Sequence, residues 1–418
     1  MEPAVWDAVV IGGGPAGSAA ATVLARAGRR VLLLEKEHFP RFHIGESLLP
    51  YNRKLFEELG VLSKLEAAGF PKKFGAQFHL GNGSKGTAFV FREGVFTRES
   101  EAFQVERAVF DDILLRHAAS MGASVREGWT VERFQESSDG ITVTAASDTG
   151  VRQNFQARWL IDGSGRGNMT GNQESLRVVH PNHRKIAIFG HFTGVRVDDG
   201  EKGGDTVIVR LADRWFWLIP ISKTKVSVGL VMDSAAFAAS KKPAAEMFSE
   251  TVKQSPPVQD RLAKATLVGA IQTTADFSYF NRSLVSSRVL RAGDAAGFMD
   301  PIFSAGVFLA MFSGKLAAEA TVAAEKEPHR RFALFEGYER RVQRAMRFYW
   351  RMVEAFYTTP FMELFLEPRR RFHLPAAVNA FLAGDLEGGW TLRWRLWIFF
   401  TLVRIQARWP LVPRIRFD

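Results

Sequence analysis

The stretch DAVVIGGGPAGSAAATVLARAGRRVLLLEKE, residues 7–37, decides the fold. It begins with a short apolar run at 8–11, which predicts a buried strand. An alanine-rich helix is expected over 18–26, and Gly28 ends it. A second apolar run at 31–34 predicts the next strand. Strand, helix and strand in this order are typical of a Rossmann-type α/β fold with a parallel sheet.

Three glycines in the turn after the first strand have the spacing G-x-G-x-x-G. Gly12 permits the tight turn, Gly14 lets the backbone approach a pyrophosphate, and Gly17 lets the helix pack close to the strand. The first N–H groups of that helix face the phosphates. Glu35 follows the second strand, where its carboxylate can accept hydrogen bonds from ribose hydroxyls and would repel a 2′-phosphate. We therefore expect a dinucleotide site that does not take NADP.

Three later segments resemble the superfamily of FAD-dependent hydroxylases and geranylgeranyl reductase-like enzymes. They are QVERAVFDDIL at 104–114, WLIDGSGRGN at 159–168 and RVLRAGDAAGFMDPIFSAGVFLAM at 288–311. The resemblance implies a glutathione-reductase-like FAD-binding domain, in which Arg107 lies along the FAD, Asp162 borders it and Asp294 binds its ribityl chain. For Arg107 and Asp111 the alternative is an ordinary surface ion pair. No second dinucleotide fingerprint follows, so a separate flavin reductase or a transient nicotinamide donor must reduce the FAD.

Three further motifs resemble the flavin-dependent halogenase family, within the tryptophan halogenase superfamily. They are FPRFHIGESLLP at 39–50, DRWFWLIPI at 213–221 and DPIFSAGV at 300–307. The marker W-x-W-x-I-P is complete at 215–220, and the resemblance covers roughly residues 5–315. Tryptophan-acting members carry a glutamate that assists their lysine where Phe303 stands in this chain. The resemblance is therefore to the phenol- and pyrrole-acting branch.

The halogenase resemblance implies that reduced FAD, oxygen and a halide, chloride or bromide, give hypohalous acid, which crosses a tunnel to a lysine. That lysine corresponds to Lys73 in GFPKKFGAQF (69–78), with Lys72 as the fallback if the register differs by one. An ammonium can donate a hydrogen bond to hypohalous acid, and a desolvated amine could capture it. Glu46 is expected near the isoalloxazine ring as a second catalytic residue. Without the resemblance, adjacent lysines in a loop are expected to be solvated.

The resemblance also implies a halide site and a tunnel wall. The backbone amides of Ala305 and Gly306 are expected to bind the halide, and Gly306 also to contact the cofactor. Trp215, Trp217 and Pro220 are expected to wall the tunnel. The two indoles are two positions apart in a strand, so they face one side. The alternatives are a turn that serves only flavin binding and a tryptophan pair that is plain core.

The sequence predicts three regions. Residues 1–75, 100–180 and 282–325 are expected to form the FAD-binding domain, residues 76–99 and 181–281 an antiparallel-sheet substrate domain, and residues 326–418 a helical C-terminal region rich in arginine and aromatic residues. Within the second region a helix is expected over 241–254, and Pro256 should stop it.

The absence of cysteine excludes disulfides, thiolate metal sites and cysteine nucleophiles. We expect no metal site, and we interpret His43 and His79 as structural. The apolar run at 8–11 is too short for a signal peptide and lacks a basic leader, so a cytoplasmic location is expected.

The last fifth of the chain is strongly basic. The net charge is +11, and residues 330–418 hold sixteen arginines, no lysine and eight acids. This bias indicates an acidic partner, such as a carrier protein, or peripheral contact with an anionic membrane, and the alternative is solvated helix faces. The longest uncharged, mostly apolar run, 396–403, is far shorter than the roughly 20 residues that span a bilayer. Nucleic acid is not expected, because no binding module accompanies the charge.

Two functions remain from the sequence. The first is an FAD-dependent halogenase, supplied with reduced FAD by a separate reductase, that acts on a phenol or pyrrole ring, either as a small molecule or bound to a carrier protein. The second is a reductase, dehydrogenase or monooxygenase of the same scaffold, acting on a lipid-like or aromatic substrate. The apolar tail favours the second, whereas the complete W-x-W-x-I-P marker favours the first.

Overall fold

Two large β-sheets, a small two-stranded sheet of residues 72–73 and 102–103, and a C-terminal group of helices are the main parts of the computed structural model, which describes residues 5–94, 99–367, 374–384 and 389–417. The strands are β1 (Trp6–Ile11), β2 (Val31–Leu34), β3 (Lys72–Lys73), β4 (Gly75–Leu80), β5 (Gly86–Val90), β6 (Ala102–Phe103), β7 (Ser124–Arg126), β8 (Trp129–Glu136), β9 (Ile141–Ser147), β10 (Arg152–Asp162), β11 (Arg177–Thr193), β12 (Thr206–Arg210), β13 (Trp215–Pro220), β14 (Lys225–Asp233), β15 (Thr266–Asn281), β16 (Val289–Arg291) and β17 (Gly297–Phe298). The helices are α1 (Pro15–Arg26), α2 (Asn52–Leu59), α3 (Leu62–Ala67), α4 (Arg107–Ser120), α5 (Met169–Gln173), α6 (Ser234–Ser240), α7 (Ala244–Lys253), α8 (Pro256–Leu262), α9 (Gly306–Lys326), α10 (Arg331–Phe356), α11 (Thr359–Phe365), α12 (Leu374–Ala383) and α13 (Trp390–Arg408).

The first sheet has the order β7-β2-β1-β10-β9-β8, with β16 paired to the end of β10. Strands β7, β2, β1, β10 and β16 are parallel, whereas β9 pairs with β8 and with the first half of β10 in antiparallel fashion. In the register of β1 and β10, Ile11 lies opposite Asp162. The fingerprint turn therefore begins beside the turn that follows Asp162, and the Rossmann-type α/β fold is confirmed.

The second sheet has the order β17-β15-β11-β14-β13-β12-β4-β5. All its pairings are antiparallel except that of β12 with β4. The expected antiparallel sheet is thus present. One of its strands, β17, lies outside the residues expected for it, and two others begin before the expected bounds, β11 at Arg177 and β4 at Gly75. The exact division of the chain into domains stays a prediction.

Helix α9 packs closely along α1. A Cβ added at Gly314 of α9 would lie 2.1 Å from the carbonyl oxygen of Ala16, so only glycine permits this approach. Among the described residues, α9 is the one helix long and apolar enough to cross a membrane, and 56% of its most apolar window is buried inside the structure. The packing against α1 accounts for the apolar composition of α9.

The single helix expected over 241–254 is wrong in its details. Helix α7 covers Ala244–Lys253, and a separate short helix, α8, begins at Pro256 itself. Proline is well suited to the first turn of a helix, because its missing N–H would have no intrahelical partner there. The proline pair therefore begins a helix as well as marking the end of one.

The helices α10 to α13 confirm the helical C-terminal region. Most of their aromatic side chains pack into the same buried cluster as the second sheet, and α12 and α13 add a small cluster of their own with Ala377, Ala380, Leu392 and Leu396. The ring of Phe365 lies 4.7 Å from that of Phe78 and 4.8 Å from that of Phe89. The side-chain amide of Asn379 donates to the carbonyl oxygen of Val90 at 2.6 Å.

Candidate active site

One large cavity lies between the two sheets. Its volume is about 1150 Å³, slightly above the roughly 300–1,000 Å³ of most small-molecule sites. The predicted site residues that line it are Gly12, Gly14, Glu35, Glu46, Arg107, Trp215, Trp217, Asp294, Ala305 and Gly306. Those that do not line it are Gly17, Lys73, Asp162 and Pro220.

The glycine fingerprint is required by backbone contacts. A Cβ added at Gly12, where φ is +93°, would lie 2.4 Å from the carbonyl oxygen of Gly163. A Cβ added at Gly17 would lie 1.8 Å from the carbonyl oxygen of Gly12. At Gly14 the nearest atom would be 3.5 Å away, on Arg41, and this residue faces the cavity. The first turn of α1 thus presents its N–H groups to the cavity wall.

Two carboxylates fix the turns beside this helix. Glu35 accepts from the backbone N–H of Gly13 at 2.5 Å and from that of Glu37 at 2.8 Å. Asp162 is fully buried and accepts from the N–H groups of Ser164 at 2.9 Å and Thr170 at 2.8 Å. Asp162 therefore holds the shape of a turn that lines the cavity and does not itself reach the cavity surface.

Arg107 and Asp111 form a buried pair, so the alternative of a surface ion pair is wrong. Their side chains are 5% and 0% exposed. The guanidinium of Arg107 donates to both oxygens of Asp111, at 2.7 and 2.9 Å, and to the carbonyl of Ile44 at 2.9 Å. Burial opposes ionisation of Asp111, but Arg107 and Arg41 outweigh it and hold the pKa of Asp111 below its usual value. The pair anchors the loop that carries Glu46.

The turn before α9 borders the cavity with small residues. Ser304 has a left-handed backbone with φ of +57°, and α9 begins at Gly306 with Ala305 preceding it. Asp300 accepts from the N–H of Ile302 at 3.1 Å and from the hydroxyl of Tyr357 at 2.6 Å. These bonds hold the turn, and the free N–H groups at the start of the 21-residue helix favour an anion there.

Asp294 lies on the cavity wall. Burial raises its pKa to about 6. Its backbone carbonyl accepts from the hydroxyl of Tyr279 at 2.6 Å. No described residue donates a hydrogen bond to its carboxyl group, which is therefore available to a ligand in the cavity.

Trp215 and Trp217 lie on one face of β13, as expected, and both line the cavity. The indole N–H of Trp215 donates to Tyr357 at 2.9 Å, and that of Trp217 to Ser227 at 3.1 Å. Pro220 differs from the expectation. Side chains alternate along a strand, so Pro220 lies on the other face, beside Val226 and away from this cavity.

Replacing Gly229 by alanine is expected to displace the indole of Trp217. The added Cβ would lie 2.1 Å from the nearest ring atom, and overpacking of this kind costs about 1–3 kcal/mol. Thermal unfolding and tryptophan emission measure the effect. The matched control is Gly337→Ala, whose Cβ meets nothing within 4 Å. An unchanged melting temperature and emission spectrum in Gly229→Ala would contradict this account.

Lys73 and Lys72 have opposite environments. The Lys72 side chain is 55% exposed and pairs with Glu101 at 3.1 Å. Lys73 is 2% exposed, and its Nζ donates to Ser47 Oγ at 2.9 Å and to the carbonyl of Leu48 at 3.1 Å. Burial lowers the pKa of Lys73 to about 7, although the charge of Asp205 acts in the opposite direction. Lys73 lies behind the cavity wall, in contact with Ser47.

The sequence did not predict the partner of Glu46. Its carboxylate lies 2.6 Å from Nε2 of His191, on β11, and its other oxygen is buried without a hydrogen-bond partner among the described residues. His43 also lines the cavity, and burial lowers its pKa to about 3, so it is neutral. His79 lies on β4, and its Nε2 is 3.4 Å from Oε1 of Gln77. His191 and Glu46 are 145 residues apart in the sequence, so no local pattern predicts their contact.

The residues present fit FAD. The fingerprint turn, a positive helix N-terminus and Glu35 suit a pyrophosphate and a ribose, and at Gly14 the absence of a side chain leaves the backbone open to the cavity. Asp294 and the amides of α9 border the same cavity and suit the polar edge of a flavin. Among the described residues no group of three or more histidine, aspartate or glutamate side chains could hold a metal ion.

Comparison with known proteins agrees with this geometry. Residues 6–350 match the family described as an FAD binding domain. The chain is 32% identical over 408 residues to the 1H-pyrrole-2-carbonyl-[peptidyl-carrier protein] chlorinase of Pseudomonas fluorescens, covering 92% of this chain and 90% of that protein. The myxobacterial chondrochloren halogenase, described as FAD-dependent, is 35% identical, with a TM-score of 0.79 and coverage of 85% and 83% of the two chains.

The chain belongs to the flavin-dependent halogenase family. Its cofactor is FAD, and a halide is its co-substrate. The solved flavin-dependent brominase Bmp2 is 28% identical, with a TM-score of 0.85 and coverage of 97% of this halogenase and 100% of that chain. These matches support halogenation and not the alternative of a non-halogenating flavoprotein.

Proposed function

We propose that this halogenase acts on a phenol or pyrrole ring and that Lys73 is its catalytic lysine. The observation that carries the proposal is the full burial of Lys73 in hydrogen-bond contact with Ser47 on the cavity wall. Among the described residues Lys73 has no ion pair within 4 Å; a lysine buried in this way is costly, and such groups are concentrated at functional sites. The phenylalanine at position 303, packed against Phe356 and Phe381, supports the phenol- and pyrrole-acting branch.

In this proposal, FAD bound in its reduced form supplies the electrons by which oxygen and halide give hypohalous acid. The amides of Ala305 and Gly306 hold the halide beside the positive end of α9. The indoles of Trp215 and Trp217 exclude the ring from the cavity. Lys73 orients hypohalous acid by donating a hydrogen bond to its oxygen. The halogen–oxygen bond breaks, the halogen joins a ring carbon, and the ring proton leaves with the hydroxide as water.

We further propose that a separate flavin reductase supplies reduced FAD and that the ring arrives on an acidic carrier protein. Carrier binding is the chemistry named for the Pseudomonas fluorescens relative. The exposed face of α13 offers a basic surface, with Trp390, Arg393, Trp397, Arg404 and Arg408 at helical spacing. A cytoplasmic location is part of the proposal, and contact of this face with an anionic membrane is its alternative.

The test combines purified protein, FAD, a flavin reductase, NADH and chloride or bromide. The substrates are phloroglucinol, free pyrrole-2-carboxylate and the same acid loaded on a carrier protein. We expect a halogenated product, detected by mass, that requires both halide and reductase. A hydroxylated product without halogen would contradict the proposed halogenation of these rings. Equal turnover of free and loaded pyrrole would contradict carrier recognition, and co-sedimentation with anionic vesicles would assign the α13 face to a membrane.

A further inference from the structure

Two hydroxyl groups separate Lys73 from the cavity. Ser47 and Thr206 both line the cavity, whereas Lys73 does not. Lys73 Nζ donates to Ser47 Oγ at 2.9 Å, and Ser47 Oγ lies 2.8 Å from Thr206 Oγ1. All three side chains are at least 94% buried. Whatever passes from the cavity toward Lys73 therefore meets these hydroxyls first.

The direction of the hydrogen bonds follows from the groups at the two ends. The side-chain amide nitrogen of Gln104 donates to the carbonyl of Gly204 at 3.0 Å, which fixes the orientation of that amide. The same nitrogen donates to Thr206 Oγ1 at 2.9 Å, so Thr206 accepts at this end. The Lys73 ammonium has no acceptor capacity, so Ser47 accepts at the other end.

One hydroxyl proton then remains available. Ser47 and Thr206 have two hydroxyl protons between them, and one is used in the bond that joins their oxygens. In the described ranges 5–94, 99–367, 374–384 and 389–417 neither hydroxyl is hydrogen-bonded to a further acceptor. Since both oxygens lie on the cavity wall, that proton is free to be donated into the cavity.

We infer that Ser47 and Thr206 are positioning residues, which extend the hydrogen bond of Lys73 to the cavity wall and orient hypohalous acid on its way to the lysine. This inference rests on the proposed function, because it takes Lys73 as the lysine that handles the oxidant. Neither hydroxyl belongs to the halide turn at 304–306 or to the residues assigned to FAD above. Removing a hydroxyl should therefore leave formation of the oxidant intact and impair its transfer to the ring.

The test compares Thr206→Val, which removes the hydroxyl at nearly constant shape, with Thr206→Ser, which keeps it. We expect Thr206→Val to lower ring halogenation about 10- to 100-fold, as for loss of a hydrogen bond linked to a charge. Halide-dependent oxygen consumption should be unchanged, and more free hypohalous acid should be trapped by an added scavenger. Thr206→Ser should restore most of the product. The matched control is Thr251→Val, a buried threonine that donates to a carbonyl in α7, away from the cavity.

The double variant with Lys73→Met separates this inference from the proposed function. If Thr206 and Lys73 act through the same series of hydrogen bonds, Thr206→Val should cause no further loss of product in the Lys73→Met background. Additive losses, or wild-type yield in Thr206→Val, would overturn the inference. Equal activity of the wild type and Lys73→Met would instead overturn the proposed role of Lys73.

A second measurement needs no turnover. Cyanate carbamylates only neutral amines, and its reaction at Lys73 can be followed by mass spectrometry with Lys72 as internal reference. Ser47→Ala removes an acceptor of the ammonium, so we expect faster carbamylation of Lys73 at neutral pH. An unchanged rate in Ser47→Ala would overturn the hydrogen-bond chain even if no ring substrate is turned over.

Discussion

Replacing Lys73 by methionine should nearly abolish ring halogenation and, at neutral pH, stabilise the folded protein. A positioned group that handles protons contributes about 10²–10⁴-fold to rate, and we expect a loss of that size in halogenated product. Formation of hypohalous acid should persist, because neither the FAD contacts nor the halide turn includes Lys73. Product analysis by mass and scavenger trapping measure the two steps separately.

The gain in stability follows from the pKa of Lys73. Burial lowers that pKa to about 7 in the folded protein, from 10.5 in the unfolded chain. Below pH 7 both states hold the proton, and the folded state carries the full cost of a buried charge, on the order of 3–5 kcal/mol. Methionine removes that cost but leaves Ser47 and the Leu48 carbonyl without their donor, which costs about 1–3 kcal/mol. We expect a net gain of roughly 1–3 kcal/mol.

The difference in stability between the wild type and Lys73→Met should change with pH in a defined direction. Between pH 7 and 10.5 the unfolded chain holds a proton that the folded protein has lost, so wild-type stability rises with pH relative to the variant. The advantage of Lys73→Met should therefore be largest at and below pH 7 and vanish toward pH 10.5. Denaturant unfolding at several pH values measures it. Lys72→Met is the matched control, since Lys72 is exposed, and a similar loss of product there would contradict the assignment.

Replacing Gly17 by alanine should abolish stable FAD binding. The new Cβ would lie 1.8 Å from the carbonyl oxygen of Gly12 and 3.3 Å from Val10, so α1 must move away from β1. The two closest atoms are the carbonyl oxygen and carbon of Gly12, which belong to the backbone and cannot rotate away as a flexible side chain could. We expect destabilisation of about 3 kcal/mol or more, and loss of FAD affinity by at least about 100-fold, because the helix N-terminus no longer meets the phosphates.

The measurement is FAD retention on purification, together with thermal unfolding with and without added FAD. Gly337→Ala, in the middle of α10, is the control, and removing glycine from a helix interior should stabilise it by about 0.5–1 kcal/mol. Gly17→Ala protein that binds FAD with wild-type affinity would contradict the close approach of α1 and β1.

The sequence predicts best what neighbouring residues determine. The fingerprint turn, β2 and Glu35 lie within one continuous stretch, where glycine spacing and apolar runs are sufficient. The two indoles of β13 share a face because strand geometry requires it, and the same alternation places Pro220 on the opposite face. The alternation of side chains along β13 is thus sufficient to predict that Pro220 faces away from the two indoles.

The sequence does not predict the contacts between distant segments. Glu46 and His191 are 145 residues apart, and Ser47 and Thr206 are 159 apart. Each pair is made only because the second sheet brings β11 and β12 over the loop that follows β2. Neither a histidine nor a threonine in a strand carries a local signal for such a partner. The residues around Lys73 likewise do not predict its burial, because a pair of lysines in a loop is ordinarily solvated.

The C-terminal helices have a consequence for protein engineering. Phe365 interlocks with Phe78 and Phe89, Asn379 holds the end of β5, and Tyr357 links Trp215 to Asp300. The helices α10 to α13 therefore cannot be exchanged between relatives as an independent unit joined by a linker. A chimera that takes a foreign tail must also take the matching face of β4, β5 and β13. Conversely, α11 can be redesigned without touching any residue that lines the cavity, whereas α10 cannot, because Val342 and Met346 of that helix are part of the cavity wall.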